Sequence, residues 1–355
     1  MRSLTLHIGT EKTGTTSIQR FLTQNLEPLK SQGIRIPTTL GVQGHRLLPM
    51  LALAEGKSSD LFAAEGLAGS GQRSQAKQAW LKAFREEALA SGNSRWIISS
   101  EFLQSRLTSD FEVKCLADLL RDLFDRVEIL LYIRRPIDTA VSLWSTGLKS
   151  GLKTSALPPP TAPYWHRICD HRQTVELWQR FFFEPLNIRL FSRQEFIGGD
   201  LLIDFCHACG IALSDQFCWL REEDNQTLSW PAMKLLIELN KRIPRFQGKQ
   251  VNYLRGDLMK YVSNCFSGHP PYAPSLEECQ AYEDCFADSL EWVRARYFPD
   301  RKSLFPGAPK QRSKGEDHLF SSALNDYERS VANLICAVWL DKQGQILKLR
   351  KQVAG

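Results

Sequence analysis

The stretch SLTLHIGTEKTGTTSIQRFL, Ser3 to Leu22, constrains the chain more than any other. Apolar alternation over Leu4 to Ile8 predicts a strand, and Ile18, Phe21, Leu22 and Leu26 then recur at helical spacing. Between them a loop of Gly, Thr and Lys must turn a strand directly into a helix. Gly9 and Gly14 allow a tight turn that presents several N–H groups at a helix start, where the helix dipole adds partial positive charge. That arrangement is an anion site, although a Gly-rich turn without a ligand has the same pattern. The phosphate-loop pattern G-x-x-x-x-G-K-[ST] is not met: Thr15 and Thr16 follow Gly14, and Lys12 lies two residues before it.

Four further segments read as strands: GIRIP, RWIISS, VEILLYI and NIRLFS. VEILLYI is almost uninterruptedly apolar, as in a strand buried on both faces of a parallel sheet. Helical patterns alternate with them, so the expected fold class is α/β, a doubly wound, mainly parallel sheet with right-handed crossovers. Beyond residue 225 the pattern turns helical. The expected organisation is an α/β core over 1–225 and a helical C-terminal portion over 226–355 packed on it. Residues 55 to 75 and the stretch KTSALPPPTAPYW read as loops, and 306–317 as a mobile segment. Ligands of such sheets bind beyond the C-terminal strand ends. Three strand exits therefore converge on one cleft: Gly9 to Ser17, Ser99 to Phe102, and Arg134 to Ser142.

Composition excludes some classes. Apolar runs fall well short of the ~20 residues of a membrane span, and no signal-like segment precedes the first motif, so a soluble, cytoplasmic protein is expected. The net charge of +6 mildly favours anionic partners or simply solubility. Nine scattered cysteines offer no paired metal-ligand spacing; Cys206 and Cys209 read as reduced thiols near a helix, and no metal is expected.

The first loop resembles a family signature. TEKTGTT is similar to the T-x-K-x-G-T-T loop of sulfotransferases that use 3′-phosphoadenosine 5′-phosphosulfate (PAPS). The resemblance implies a P-loop-like sulfotransferase fold in which this loop, including Thr10, holds the 5′-phosphosulfate. Lys12 would lie beside the bridging oxygen where leaving-group charge develops, and Thr13, Gly14, Thr15, Thr16 and Ser17 would cradle the 5′-phosphate. Glu11 stands where the family commonly has proline, and an acid there weakens anion binding unless its side chain points away. LLYIRRPIDTAVSLW resembles the second signature, Y-x-R-x-P-x-D-x-x-x-S, in which Arg134 and Ser142 hold the 3′-phosphate. The resemblance extends through RQTVELWQRFFFEPLNIRLFSRQEFIGGDLLIDFCHACGI and DNQTLSWPAMKLLIELN, matching bacterial carbohydrate-type members from Leu4 to about Asn240.

The implied activity is transfer of a sulfonyl group from PAPS to an acceptor hydroxyl of a saccharide or glycoconjugate, with no nucleic-acid partner and an open oligomeric state. A base that removes the acceptor proton helps such a transfer. Glu101, directly after the third strand, ranks first and His45 second. Ser99, Ser100 and Arg46 are further cleft candidates, and Lys149, Lys153, Tyr164, Trp165 and His166 suit a sugar. Lys241, Arg242, Arg245 and Lys249 suit a polyanion or a solvated helix end. Two alternatives stand beside this reading: a P-loop nucleotide kinase or NTPase, and a non-catalytic nucleotide- or polyanion-binding protein on the same scaffold.

Overall fold

Five short apolar segments pair, all in parallel, into one sheet: β1 (Ser3–His7), β2 (Ile34–Arg35), β3 (Arg95–Ser99), β4 (Arg126–Ile133) and β5 (Asn187–Leu190). Their spatial order is β2-β3-β1-β4-β5. These are the five strands expected, in the α/β class expected. The computed structural model describes the chain except residues 42–43, 58, 93, 220–227, 248–249, 257, 267–268, 308, 310, 313–325 and 355.

The helices are α1 (Thr15–Gln24), α2 (Leu26–Ser31), α3 (Leu47–Ala52), α4 (Asp60–Ala64), α5 (Ser70–Ala90), α6 (Glu101–Arg106), α7 (Asp110–Arg121) and α8 (Pro136–Lys149). They continue with α9 (Pro163–Cys169), α10 (His171–Gln179), α11 (Leu201–Ala208), α12 (Trp230–Arg242), α13 (Leu258–Cys265), α14 (Leu276–Tyr297) and α15 (Asp326–Ala354). The polar stretch expected as a loop over 55 to 75 holds α4 and the start of α5. Ser59 accepts a hydrogen bond from the Leu61 N–H, a cap that starts a helix without strong apolar periodicity. The last residues of KTSALPPPTAPYW likewise begin α9. Of the segment 306–317, residues 308, 310 and 313–317 lie outside the described residues.

Two compact units divide the chain. The first comprises Met1–Pro136, His166–Glu222 and Phe286–Gly307; the second comprises Ile137–Trp165, Glu223–Cys285 and Ala308–Gly355. One crossing lies next to the expected boundary at 225, and the others interleave the units in sequence. The first unit contains the whole sheet. Strand alternation sends Ile129, Leu131 and Ile133 with Leu6 and Ile98 to one face, under α3, α5, α7 and α10. Leu130, Tyr132 and Ile97 go to the other, under α1, α2 and α11. Both faces are covered, which is why β4 is apolar almost throughout. In the second unit the rings of Trp144, Trp230 and Tyr272 pack together, and the Asn240 amide donates to the Leu148 and Leu152 carbonyls at 2.9 and 2.6 Å. The hairpin β6 (Phe246–Gln247) and β7 (Gln250–Val251) also belongs to it, strands too short for a sequence signal. Among the described residues no helix is long and apolar enough to cross a membrane.

Polar groups inside the first unit are paired closely. Asp204 accepts from the Tyr132 hydroxyl and Arg189 Nε, both at 2.6 Å, from Arg189 Nη2, and from the Ile197 N–H at 3.1 Å. Burial alone would raise this carboxyl, but Arg189 and Tyr132 hold it below its ordinary value. Three histidines are also buried. His7 Nδ1 meets Ser99 Oγ at 2.8 Å; His45 Nδ1 lies 3.1 Å from both the N and O of Ser99; His171 Nε2 donates to the Arg134 carbonyl at 2.8 Å. Burial pushes His7 down to about 3, and His45 and His171 down to about 4.

These rings are neutral in the fold, whereas in the unfolded chain they protonate below about pH 6.5. Their share of stability is complete above that pH and is lost as the pH falls towards their folded values. Unfolding near pH 5.5 should therefore take up roughly two to three protons from them, at ~1.4 kcal/mol per pH unit for each proton. The pH dependence of the urea-unfolding free energy measures this uptake, and less than one proton would contradict neutral burial.

Candidate active site

Strand order places the site. The connection after β1 leads towards β2, the connection after β3 leads to β4 on the other side, and β1 and β3 are neighbours. A crevice opens at such a reversal, beyond the C-terminal strand ends. The loop 8–14 and Glu101 are the residues that follow β1 and β3 there.

Pairing with β4 continues past β1. Ile8 N–H donates to the Leu130 carbonyl at 3.0 Å, Thr10 N–H to the Tyr132 carbonyl at 2.8 Å, and Tyr132 N–H to the Gly9 carbonyl at 2.8 Å. The chain then turns through Lys12 at φ 68° and Gly14 at φ 71°. Glycine suits position 14: its φ strains other residues, and a Cβ there would lie 2.2 Å from Leu201 Cδ2 and 3.1 Å from the Phe191 ring. The Thr10 and Thr13 hydroxyls donate inward, to the carbonyls of Tyr132 at 3.3 Å and Thr10 at 2.6 Å. These two threonines shape the loop from a buried position. Thr16 is exposed and Ser17 half-buried at the start of α1, whose first turn carries no side-chain cap. Helix-start N–H groups of this kind receive an anion.

Arg134 meets this loop. Its Nη1 donates to the Lys12 carbonyl at 3.1 Å, and its guanidinium lies 5.4 Å from the centre of the Phe191 ring. Lys12 of the first motif and Arg134 of the second are thus brought together in the first unit. Ser142 lies half-buried on α8, in the second unit. The neighbouring Arg135 reaches the Pro306 and Gly307 carbonyls at 2.8 and 2.7 Å, so it secures a backbone segment.

Glu101 opens α6 directly after β3, half-buried. Gly9 passes so close that a Cβ on it would lie 3.1 Å from Glu101 Cα. Burial raises the Glu101 carboxyl above its ordinary value and Glu11 adds to the effect, while its own backbone N–H, the Gln19 hydrogen bond and Lys12 oppose it. His45 is buried at 3% exposure with Nδ1 against the Ser99 backbone, so the second candidate base stands behind β3 while Glu101 stands at its end.

Glu11 is answered by a residue the sequence did not single out. Arg106 Nη1 lies 3.2 Å from Glu11 Oε1, and its Nε and Nη2 each donate to Asp60 at 3.0 Å. The Glu11 carboxylate is therefore drawn to Arg106. Three further residues became visible only in the structure: Gln19, bonded to Glu101; His171, bonded to the Arg134 carbonyl; and Phe191, packed under Gly14 and Arg134. They come from distant segments, and no local pattern marks them.

Other candidates have alternative engagements. Arg46 pairs with Glu65 at 2.6 Å, and Lys241 and Arg242 each pair with Glu238 at 2.7 Å. Arg245 stacks on Phe246, and Lys249 lies outside the described residues. Lys149, Lys153, Tyr164 and Trp165 belong to the second unit and His166 to the first. Cys206 is buried in α11, its thiol pushed up to about 12 by burial. Among the described residues no group of three or more His, Cys, Asp or Glu is placed to hold a metal ion.

The sequence matches no protein-family model, and no curated protein is significantly similar to it. Among solved structures, the chain is similar to the crystal structure of a sulfotransferase from Alicyclobacillus acidocaldarius. The identity is 17% and the TM-score 0.38, over 66% of this chain and 89% of that one. A likeness this slight carries no weight for the chemistry, which rests on the residues themselves.

Proposed function

We propose that this protein is a sulfotransferase that moves the sulfonyl group of PAPS to an acceptor hydroxyl of a saccharide or glycoconjugate, in the cytoplasm. One observation carries the reading: the Arg134 guanidinium donates to the Lys12 carbonyl at 3.1 Å. The two motifs that resemble a 5′-phosphosulfate loop and a 3′-phosphate site are 122 residues apart in sequence and adjacent in space. A nucleotide phosphorylated at both positions needs anion donors at two neighbouring points, and the residues present fit that requirement.

In this reading the N–H groups of Thr15 and Thr16 hold the 5′-phosphate at the start of α1, beside Ser17, whose own N–H closes the turn on the Gly14 carbonyl at 3.0 Å. Arg134 holds the 3′-phosphate through its guanidinium. Ser142 joins it on the strength of the family spacing alone. Lys12 places its ammonium at the bridging oxygen and stabilises the charge that grows there as the S–O bond breaks. Glu101 takes the proton of the acceptor hydroxyl as its oxygen bonds to sulfur in line with the departing 3′,5′-bisphosphate. A raised proton affinity suits that role, because the carboxylate is a stronger base than an exposed one.

The test is single-turnover transfer from radiolabelled PAPS to a panel of saccharides. Lys12→Ala should slow the best transfer ~100-fold or more. Glu101→Gln should lower the rate while His45→Gln leaves it within about threefold, as expected for a base positioned to act against one that is not. No transfer to any hydroxyl, with magnesium-dependent ATP turnover instead, would favour a kinase or NTPase. Separately, Arg134→Ala should weaken 3′,5′-ADP binding at least tenfold, read by calorimetry; unchanged affinity would remove Arg134 from the nucleotide site.

A further inference from the structure

Glu101 is held by more than its own helix. The Gln19 Nε2 donates to Glu101 Oε2 at 2.6 Å and lies 3.5 Å from the Ser99 carbonyl. Gln19 comes from α1, the helix that the anion loop starts, and its side chain is buried at 8% exposure. Gly44, at φ 71°, passes so close that a Cβ there would lie 3.2 Å from Gln19 Oε1. Glycine at 44 thus leaves room for the amide, which contacts Glu101 and the Ser99 carbonyl. Its NH2 must point at Glu101, because an ionised carboxylate only accepts.

We infer that Gln19 is a positioning residue for the base: its amide holds the Glu101 carboxylate at the end of β3, beside the loop that carries Lys12. The inference rests on the reading of Glu101 as the base. The carboxylate takes the amide on Oε2 and also accepts from its own backbone N–H at the start of α6. The same helix thus offers its N-terminus to the donor nucleotide and a side chain from its second turn to the base. Binding on one side and proton transfer on the other share one rigid element.

Charged groups around Glu101 bear on its titration from several elements. Lys12, on the loop, favours the ionised form and Glu11 opposes it. Arg106, on the same helix as Glu101, is engaged with Glu11 and Asp60. His45, behind Ser99, is neutral over the working range. Gln19 is the uncharged member of this set, and its hydrogen bond favours the carboxylate over the acid.

The experiment is a carbon-13 titration of the full-length protein labelled at the glutamate carboxyl carbon, with the Glu101 signal identified by its loss in Glu101→Gln. Gln19→Met, close in size and without a donor, should raise the Glu101 titration by about one pH unit. Gln19→Glu keeps the shape, replaces the donor by a second carboxylate, and should raise it at least as far. Calorimetric affinity for 3′,5′-ADP should stay within about threefold in both, showing an intact loop. A Glu101 titration that neither substitution moves overturns the assignment. Failure of the base reading looks different: Glu101→Gln would then transfer sulfonyl groups at the wild-type rate, whatever the titrations show.

Discussion

The anion loop takes its form from β4. Hydrogen bonds from Ile8, Thr10 and Tyr132 carry the β1–β4 ladder three residues beyond the end of β1. This extension delivers Lys12 to the point where the Arg134 guanidinium reaches its carbonyl. Lys12 there adopts a left-handed backbone conformation, which costs a residue with a side chain about 1–2 kcal/mol. A charge-assisted hydrogen bond contributes ~1.5–3 kcal/mol, enough to offset it. Arg134 thereby acts twice: it locks the loop, and it leaves a cation beside it. His171 secures the arrangement from behind by holding the Arg134 carbonyl.

Charge is distributed around the loop with consequences for chemistry. A carboxylate at Glu11 would oppose an anionic ligand, but Arg106 draws it towards Asp60. Glu101 is the second acid nearby, and the burial that lifts its proton affinity also weakens its repulsion of an anion at low pH. Lys12 and Arg134 therefore set the sign of the potential at the start of α1. The same economy explains the threonines. Thr10 and Thr13 direct their hydroxyls into the loop, while Thr16 and Ser17 remain near the surface.

Much of this was legible in the sequence because it depends on local pattern. Four of the five sheet strands announced themselves through apolar runs, and Gly9 and Gly14 marked the turn through the conformations only glycine adopts cheaply. Arg134 followed from its place at a strand end. The interleaving of the two units was not legible, since composition changes little where the chain crosses between them. Nor were Arg106, Gln19 and His171, because their partners Glu11, Glu101 and Arg134 lie 95, 82 and 37 residues away. A glutamine in an amphipathic helix and a histidine after a loop have no signature until the sheet brings their partners to them. Two-residue strands such as β2 were marked only by flanking Gly33 and Pro37.

The central claim is that Lys12 and Arg134 together form one site for a nucleotide phosphorylated at both the 3′ and 5′ positions. Calorimetry on the wild-type protein tests it most directly, with 3′,5′-ADP, 5′-AMP, and ATP with magnesium as ligands. The account predicts that 3′,5′-ADP binds at least tenfold more tightly than 5′-AMP, the minimum for one added charge-assisted contact. Equal affinity for 3′,5′-ADP and 5′-AMP, or a preference for ATP with magnesium, would contradict it.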